Sequence, residues 1–225
     1  MTDLGKLKIK VVLIYLLGIL VVAGMLFLPA GSLDYWQGWA YLAIIFIPIL
    51  FVGLYFLKND PEFIVRRLKT KEKERSQKKV ITFATILFII GFLIPGFDYR
   101  FHWSEVPLWL VILSDILLFF GYIIVFLAFR ENSYASRVVE VEKGQKVIST
   151  GLYALVRHPM YFGVVFIYLF TPLALGSFIA FPFFAVVIFS LFFRIRDEEK
   201  LLLKELKGYK EYCKKVKYKL LPYIW

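Results

Sequence analysis

Four stretches of this chain, 11–28, 39–57, 80–96 and 107–129, are overwhelmingly apolar, lack Lys and Arg, and carry Asp115 as their only charge. Crossing the hydrocarbon core of a bilayer takes roughly 17 to 25 apolar residues in a helix, because a rise of about 1.5 Å per residue must span about 30 Å. Each stretch meets that length. A fifth apolar region, 161–193, is too long for one span and is interrupted by Pro172, Gly176, Ser177 and Pro182. Proline and glycine interrupt helices there, so the region reads as a hairpin of two short spans.

The connectors fix the expected orientation. Three Lys precede the first span, nine Lys and Arg lie in 58–79, five in 130–160 and ten from Arg194 onward, whereas 97–106 holds only Arg100 and 29–38 holds none. Cytoplasmic loops are the ones enriched in Lys and Arg. The segregation predicts an even number of crossings, six, with both termini inside. The expected fold class is therefore all-α integral membrane: a single membrane domain over 1–225, about six membrane-embedded helices with a short terminal hairpin, and a cytoplasmic amphipathic C-terminal helix. The first apolar run is not followed by a small-residue cleavage pattern and is expected to remain as a span.

Composition excludes several classes. With 60% hydrophobic residues and a mean hydropathy of +0.71, the chain is too apolar to hide its surface in a soluble core. The net charge of +11 sits in short connectors and forms no compact basic domain, so nucleic acid is not expected as a partner. The sole cysteine, Cys213, excludes an internal disulfide or a thiolate metal site, and no metal is expected.

Asn59-Asp60-Pro61 is a helix-start signature, which predicts that 58–79 is a basic loop carrying a charged helix as far as Lys79. Past Arg194, the spacing of Leu201, Leu202, Leu206, Tyr209 and Val216 predicts an amphipathic helix, broken at Gly208, on the cytoplasmic face. Its Lys214, Lys215, Lys217 and Lys219 suit anionic lipid.

Polar chemistry is expected on the basic side, in two segments joined by the hairpin. In the first, Arg157-His158-Pro159 offers a cation and an imidazole just before a helix whose first turn suits Pro159. It reads either as an anion site for a ligand carboxylate or as a membrane boundary with an interfacial histidine. In the second, Arg194 and Glu198 share a helix face at a spacing of four. They read as a substrate-orienting pair or as a surface ion pair. A closed hairpin sets both segments side by side.

The run Gly144 to Tyr153, the run Val156 to Gly163, Arg194 with Glu198-Glu199, and Gly208-Tyr209 with Tyr212 and Leu221-Pro222 resemble the isoprenylcysteine carboxyl methyltransferase family, over about the C-terminal 95 residues. The resemblance implies a cofactor-binding methyltransferase core over 130–225 that uses S-adenosylmethionine. It implies cofactor contacts at Gln145, Lys146, Val147, Ile148, Tyr153, His158, Pro159, Met160 and Tyr161, with an acid from Glu198 or Glu199. Arg194, or alternatively Arg196, would orient the acceptor carboxylate, and Arg194 and Glu198 would form the catalytic pair. The implied partners are membrane lipid and a lipidic or prenylated acceptor, with the active site cytoplasmic. A carboxylate is already a nucleophile at neutral pH, so such a site needs positioning more than a base. Three alternatives remain open: a phospholipid amine N-methyltransferase, a sterol-reductase-like NADPH enzyme, and a non-enzymatic transporter or scaffold. The oligomeric state is not legible.

Overall fold

In the computed structural model, which describes residues 2–69, 75–138, 140–142 and 144–225, the apolar runs are helical. The long helices are α1 (Thr2–Ala30), α2 (Trp36–Asn59), α4 (Arg75–Phe101) and α5 (Leu108–Glu131). These four are long and apolar enough to cross a membrane. Between α2 and α4 lies the short α3 (Pro61–Arg67), and the chain ends with α6 (Pro159–Ala174), α7 (Phe181–Glu205) and α8 (Tyr209–Lys215). No strand occurs among the described residues. The molecule is thus an integral membrane helical protein.

Two boundaries differ from the sequence expectation. Pro172 does not end the first hairpin helix but lies inside α6, and the turn comes later, at Gly176 (φ +73°), with Pro182 in the first turn of α7. A proline is tolerated inside an apolar membrane helix, where neighbouring groups and local adjustment satisfy the one carbonyl it frees. Beyond the apolar run, α7 continues unbroken through Arg194 to Glu205, so the expected amphipathic helix is an extension of the second hairpin helix. The break does fall at Gly208 (φ +89°), and α8 follows it. Asp60 caps α3 by accepting from the Phe63 N–H at 3.0 Å, and Pro61 sits in the first turn, as the helix-start signature requires. The expected continuation to Lys79 is interrupted: residues 70–74 lie outside the described ones, and 75–79 open α4.

The most extensive helix contact joins α5 to α6. Its centre is Gly121 against Gly163, where an added Cβ on Gly121 would stand 2.8 Å from the Gly163 carbonyl oxygen. Small residues let two backbones approach this closely, and in lipid such packing replaces the hydrophobic drive of water. At one end of the bundle, Asp98 of α4 is buried and accepts from the Ser104 N–H (2.7 Å), the Ser104 hydroxyl (2.6 Å) and the Ser177 hydroxyl of the hairpin turn. Tyr35 donates to the Leu175 carbonyl beside it. The opposite end collects the basic connectors. There Arg66 donates to the Ser133 carbonyl (2.9 Å) and Lys69 pairs with Glu140 (2.7 Å) and Glu142 (2.5 Å), tying the segment after α2 to the linker that follows α5.

Candidate functional site

The site grows from one pinned tail. After α8 the chain turns back and runs beside residues 157–158, whose N–H groups donate to the Tyr218 and Lys219 carbonyls at 3.0 and 2.8 Å. The Arg157 guanidinium holds it there, donating to the Val216 and Lys217 carbonyls at 2.7 and 2.9 Å and to Glu199 at 2.6 Å. Both ionic side chains are almost fully buried, at 7% and 8% exposure. Lys219 adds a second cation to the Glu199 carboxylate at 3.0 Å. Burial alone would raise the Glu199 pKa, but the nearby His158 ring and the contacts from Arg157 and Lys219 overcome it and hold the carboxyl well below the usual range. Arg157 is therefore not an open anion site: its charge is paired within the fold.

That pairing separates the two adjacent acids. Glu199 faces the tail, while Glu198, about 100° further back around α7, faces a cleft. Glu198 accepts from the Tyr161 hydroxyl at 2.7 Å, and the same hydroxyl accepts from Arg194 Nε at 2.9 Å. Arg194 also donates to the Arg137 carbonyl. The expected Arg194–Glu198 pairing thus runs through Tyr161, and Arg194 stands behind that ring, outside the lining of the cleft. Arg196 is exposed on another face of α7 and has no part in it.

The cleft encloses about 820 Å³ of space, part of it open to the surroundings. Gln145, Lys146, Val147, Ile148, Tyr153, His158, Met160, Tyr161 and Glu198 all line it; Pro159 and Glu199, also singled out from the sequence, do not. Pro159 is instead buried as the first residue of α6, behind His158. Gln145 holds its own turn, its Oε1 accepting from the Glu142 N–H at 2.9 Å. Tyr153, in a 3₁₀ turn at Gly151–Ala154, is held from both ends: its hydroxyl accepts from Asn132 at 3.3 Å and its carbonyl accepts from Tyr212 at 2.7 Å. Burial pushes its phenol pKa up to about 12, so it stays protonated at neutral pH. Two buried polar atoms on the wall, His158 Nε2 and the Tyr209 hydroxyl, lack a hydrogen-bond partner among the described residues. His158 Nε2 stands 3.4 Å from Glu199 without the alignment of a hydrogen bond.

Sequence reasoning missed part of the wall. Asn132, Ser136 and Glu140 come from the irregular linker, where no periodicity marks them. Leu201, Leu202, Leu206 and Tyr209 were legible as an apolar face, but that face turns toward the linker, where Leu202, Leu206, Tyr209, Tyr212 and Val216 pack with Val141 and Val147. A second, apolar groove opens between α1, α2, α3 and α5 at the same end of the bundle.

Comparison with known proteins places the cleft in context. The family model described as "Ergosterol biosynthesis ERG4/ERG24 family" matches residues 116–225. The Delta(14)-sterol reductase TM7SF2 of Mus musculus is 31% identical over 105 residues, which are 43% of this chain and 25% of that protein. The Delta(14)-sterol reductase erg24 of Schizosaccharomyces pombe is 30% identical over 94 residues, 40% of this chain and 22% of that protein. The chain thus spans about a quarter of the length of these curated relatives. Among solved structures, the eukaryotic intramembrane Ras methyltransferase ICMT (isoprenylcysteine carboxyl methyltransferase) aligns with a TM-score of 0.49 and 17% identity, covering 84% of this chain and 74% of that one. The sequence matches therefore name sterol reductases, where the motif resemblance pointed to carboxyl methyltransferases.

Proposed function

We propose that the protein is an integral-membrane enzyme that holds a nucleotide-type cofactor in this cleft, with the basic end of the bundle on the cytoplasmic side, and acts on a lipidic substrate. The observation that carries the reading is a coincidence of boundaries. The segment matched to the sterol reductase family, 116–225, contains most of α5, the linker, the hairpin and the pinned tail, which are the parts that enclose the cleft. The unpartnered His158 Nε2 and Tyr209 hydroxyl suit a polar ligand there, since buried polar atoms in a folded protein normally have partners.

The sequence matches favour reduction of a carbon–carbon double bond in a sterol- or isoprenoid-type lipid, with a nicotinamide dinucleotide supplying hydride when bound. This chain then contributes a proton and its placement. Tyr161 is the best positioned donor, because Arg194 donates to its hydroxyl and fixes it, while Glu198 accepts the hydroxyl's hydrogen bond in the resting arrangement. Lys146 and the donors of the linker would face the cofactor's phosphates.

A second reading, methyl transfer from S-adenosylmethionine to a lipid carboxylate, rests on the charge of the cleft. Arg157 is neutralised by Glu199, leaving Lys146 as the wall cation with no acid partner among the described residues, while Glu198 faces inward. A cleft with an inward acid and few spare cations suits a sulfonium and an ammonium better than a chain of phosphates. Here Glu198 and the neighbouring aromatic rings would hold the cofactor's positive charge, and the acceptor carboxylate would need orientation but no general base.

Calorimetric titration of the purified protein in lipid nanodiscs with NADPH and with S-adenosylmethionine tests both. NADPH binding, with loss of nicotinamide absorbance when a membrane lipid extract is added, supports reduction. Binding of S-adenosylmethionine, with labelled methyl released by base as methanol, supports the second reading; base-stable label in a lipid headgroup would place the acceptor at an amine. Binding of neither cofactor overturns the assignment of the cleft.

A further inference from the structure

The turn over residues 219–225 belongs to neither cavity. Its backbone is closed on itself: the Lys219, Leu220 and Leu221 N–H groups donate to the Trp225 main-chain oxygen at 2.9, 2.9 and 3.1 Å, and the Ile224 and Trp225 N–H groups donate back to the Leu221 carbonyl at 3.2 and 3.1 Å. One side of the turn is covered. Leu220 belongs to a buried cluster with Tyr161, Leu191 and Ile195, Leu221 and Trp225 pack against that cluster, and the Trp225 ring lies 4.7 Å from that of Phe192. The other side is bare, with Tyr223 87% and Ile224 78% exposed.

Those contacts set the depth of the turn. Tyr161 is in the first turn of α6, and Leu191 and Phe192 end the apolar part of α7, just before Arg194. Phe189, Phe192 and Phe193 are exposed there, where the surroundings of a membrane bundle are lipid chains. Tyr223 and Ile224 therefore project at the boundary between chains and headgroups, the level at which aromatic side chains are enriched. A turn that satisfies its own N–H groups sits there without the cost of bare donors. Charge agrees with the position. Lys214, Lys215 and Lys217, just ahead of the turn, are exposed and have no acid partner among the described residues, and the neighbouring Tyr218 ring lies 5.3 Å from that of Tyr223. The same stretch also closes the cleft: the Val216 and Lys217 carbonyls receive Arg157, the Tyr218 and Lys219 carbonyls receive the 157–158 N–H groups, and Tyr209 and Tyr212 of α8 stand in the cleft wall.

We propose that this turn is an interfacial anchor: Tyr223 and Ile224 insert into the leaflet on the basic side, Lys215 and Lys217 bind phosphates of anionic phospholipid there, and the contact holds the tail against Arg157, so that anionic lipid tightens closure of the cleft. The sequence pointed only to lysines on an amphipathic helix; the structure turns the apolar face of that helix toward the linker and gives the apolar part of the lipid contact to the turn instead. An apolar wedge beside lysines needs a bilayer, and free phosphate does not replace it. That the closed cleft holds a cofactor rests on the reading above; the anchoring does not.

The test follows amide hydrogen exchange by mass spectrometry in the full chain without cofactor, in nanodiscs of phosphatidylcholine and of phosphatidylcholine mixed with phosphatidylglycerol. Anionic lipid should slow exchange over 216–225 and 157–158 by at least about tenfold, the effect of two lysines at an anionic surface, and leave the α5–α6 contact unchanged. Inorganic phosphate added to the neutral discs should give no such slowing. Lys215→Gln/Lys217→Gln should abolish the difference between the two discs, and Tyr223→Ser/Ile224→Ser should speed exchange over 219–225 in both; all four side chains are exposed, so both variants should fold. A bimane label on Ile224→Cys, in a Cys213→Ser background, should be quenched by brominated lipid chains and shielded from iodide. Exchange within twofold in the two discs, a lipid effect that survives Lys215→Gln/Lys217→Gln, or a label quenched by iodide alone would overturn the proposal. So would a label shielded from both quenchers that cross-links one copy of the chain to another, which would make the turn a contact between copies. Because no cofactor is present, a failure of the cofactor titrations leaves the anchoring standing, and a turn that stays in water leaves the titrations untouched.

Discussion

Removing one partner of the Arg157–Glu199 pair should release the C-terminal tail. The two side chains are 2.6 Å apart and less than a tenth exposed, so solvent screening offers little relief to the survivor. Breaking a buried pair from one side costs about 3 to 5 kcal/mol, mostly because a charge is stranded. At about 1.36 kcal/mol per tenfold, that shifts tail opening by roughly two to three and a half orders of magnitude. Arg157→Ala belongs at the upper end, since it strands Glu199 and also takes the donor from the Val216 and Lys217 carbonyls. Glu199→Gln belongs at or below the lower end, because Arg157 keeps both carbonyls and the amide remains an acceptor. Limited trypsinolysis in nanodiscs, followed by mass spectrometry at Lys214, Lys215 and Lys217, measures the opening directly. The double variant Arg157→Met/Glu199→Leu should recover most of the loss, because buried pairs contribute little over well-packed apolar residues. The pH dependence follows with its sign. A carboxyl held below its unfolded pKa contributes stability that is complete above that value, about 4.3 for Glu, and is lost on acidification toward the folded value. Tail protection should be flat from pH 8 to about 5, fall below about 4, and lose that acid limb in Glu199→Gln. Cleavage within threefold of wild type in Arg157→Ala, or a double variant as open as the worse single one, would refute the reasoning.

Three further outcomes are expected. Gly163→Val places branched carbons against the Gly121 carbonyl and Val125, and should destabilise the α5–α6 contact by about 1 to 3 kcal/mol, read as a lowered unfolding temperature in detergent. Tyr161→Phe removes the hydroxyl between Arg194 and Glu198 and should lower turnover at least about tenfold with little change in unfolding temperature, whereas Arg196→Ala should leave both within error. Asp98→Ala strands the Ser104 and Ser177 donors at the far end of the bundle; it should cost about 1 to 3 kcal/mol in thermal unfolding yet leave cofactor titrations of the cleft unchanged.

The parts of the fold visible in the sequence are those set by lipid alone. A run such as 39–57 has one stable state in hydrocarbon, a helix, and its length and position follow from that. What composition could not show was which side of a helix a residue occupies once the tail has folded back. Glu198 and Glu199 are adjacent and chemically equivalent in the sequence; only the Arg157 and Lys219 contacts give one to the fold and the other to the cleft. Arg157 was ambiguous for the same reason, since its partners are 42 to 60 positions away. The linker residues Asn132, Ser136 and Glu140 carried no signal because an irregular segment has no period to read. Pro172 misled because a membrane helix tolerates a proline inside it, and the turn waits for Gly176 four residues on.

The short hairpin also sets the depth of the site. Gly163, which meets Gly121, is only four residues from the start of α6 at Pro159, whereas Gly121 is ten residues from the end of α5 at Glu131. The helices run antiparallel, so α6 begins about six residues, or about 9 Å at 1.5 Å per residue, deeper in the bundle than α5 ends. With 16 residues, α6 rises only about 24 Å, short of the roughly 30 Å of a hydrocarbon core. The deficit falls at the basic end, since at the other end Asp98 and Tyr35 hold the hairpin turn against α4 and α1–α2. His158, Tyr161 and Glu198 are therefore carried below the level at which the neighbouring helix ends, and the linker and tail must fold inward to cover them. That geometry explains why the tail is secured by buried charge rather than by surface contacts: the Arg157–Glu199 pair lies where the tail folds inward over the start of α6.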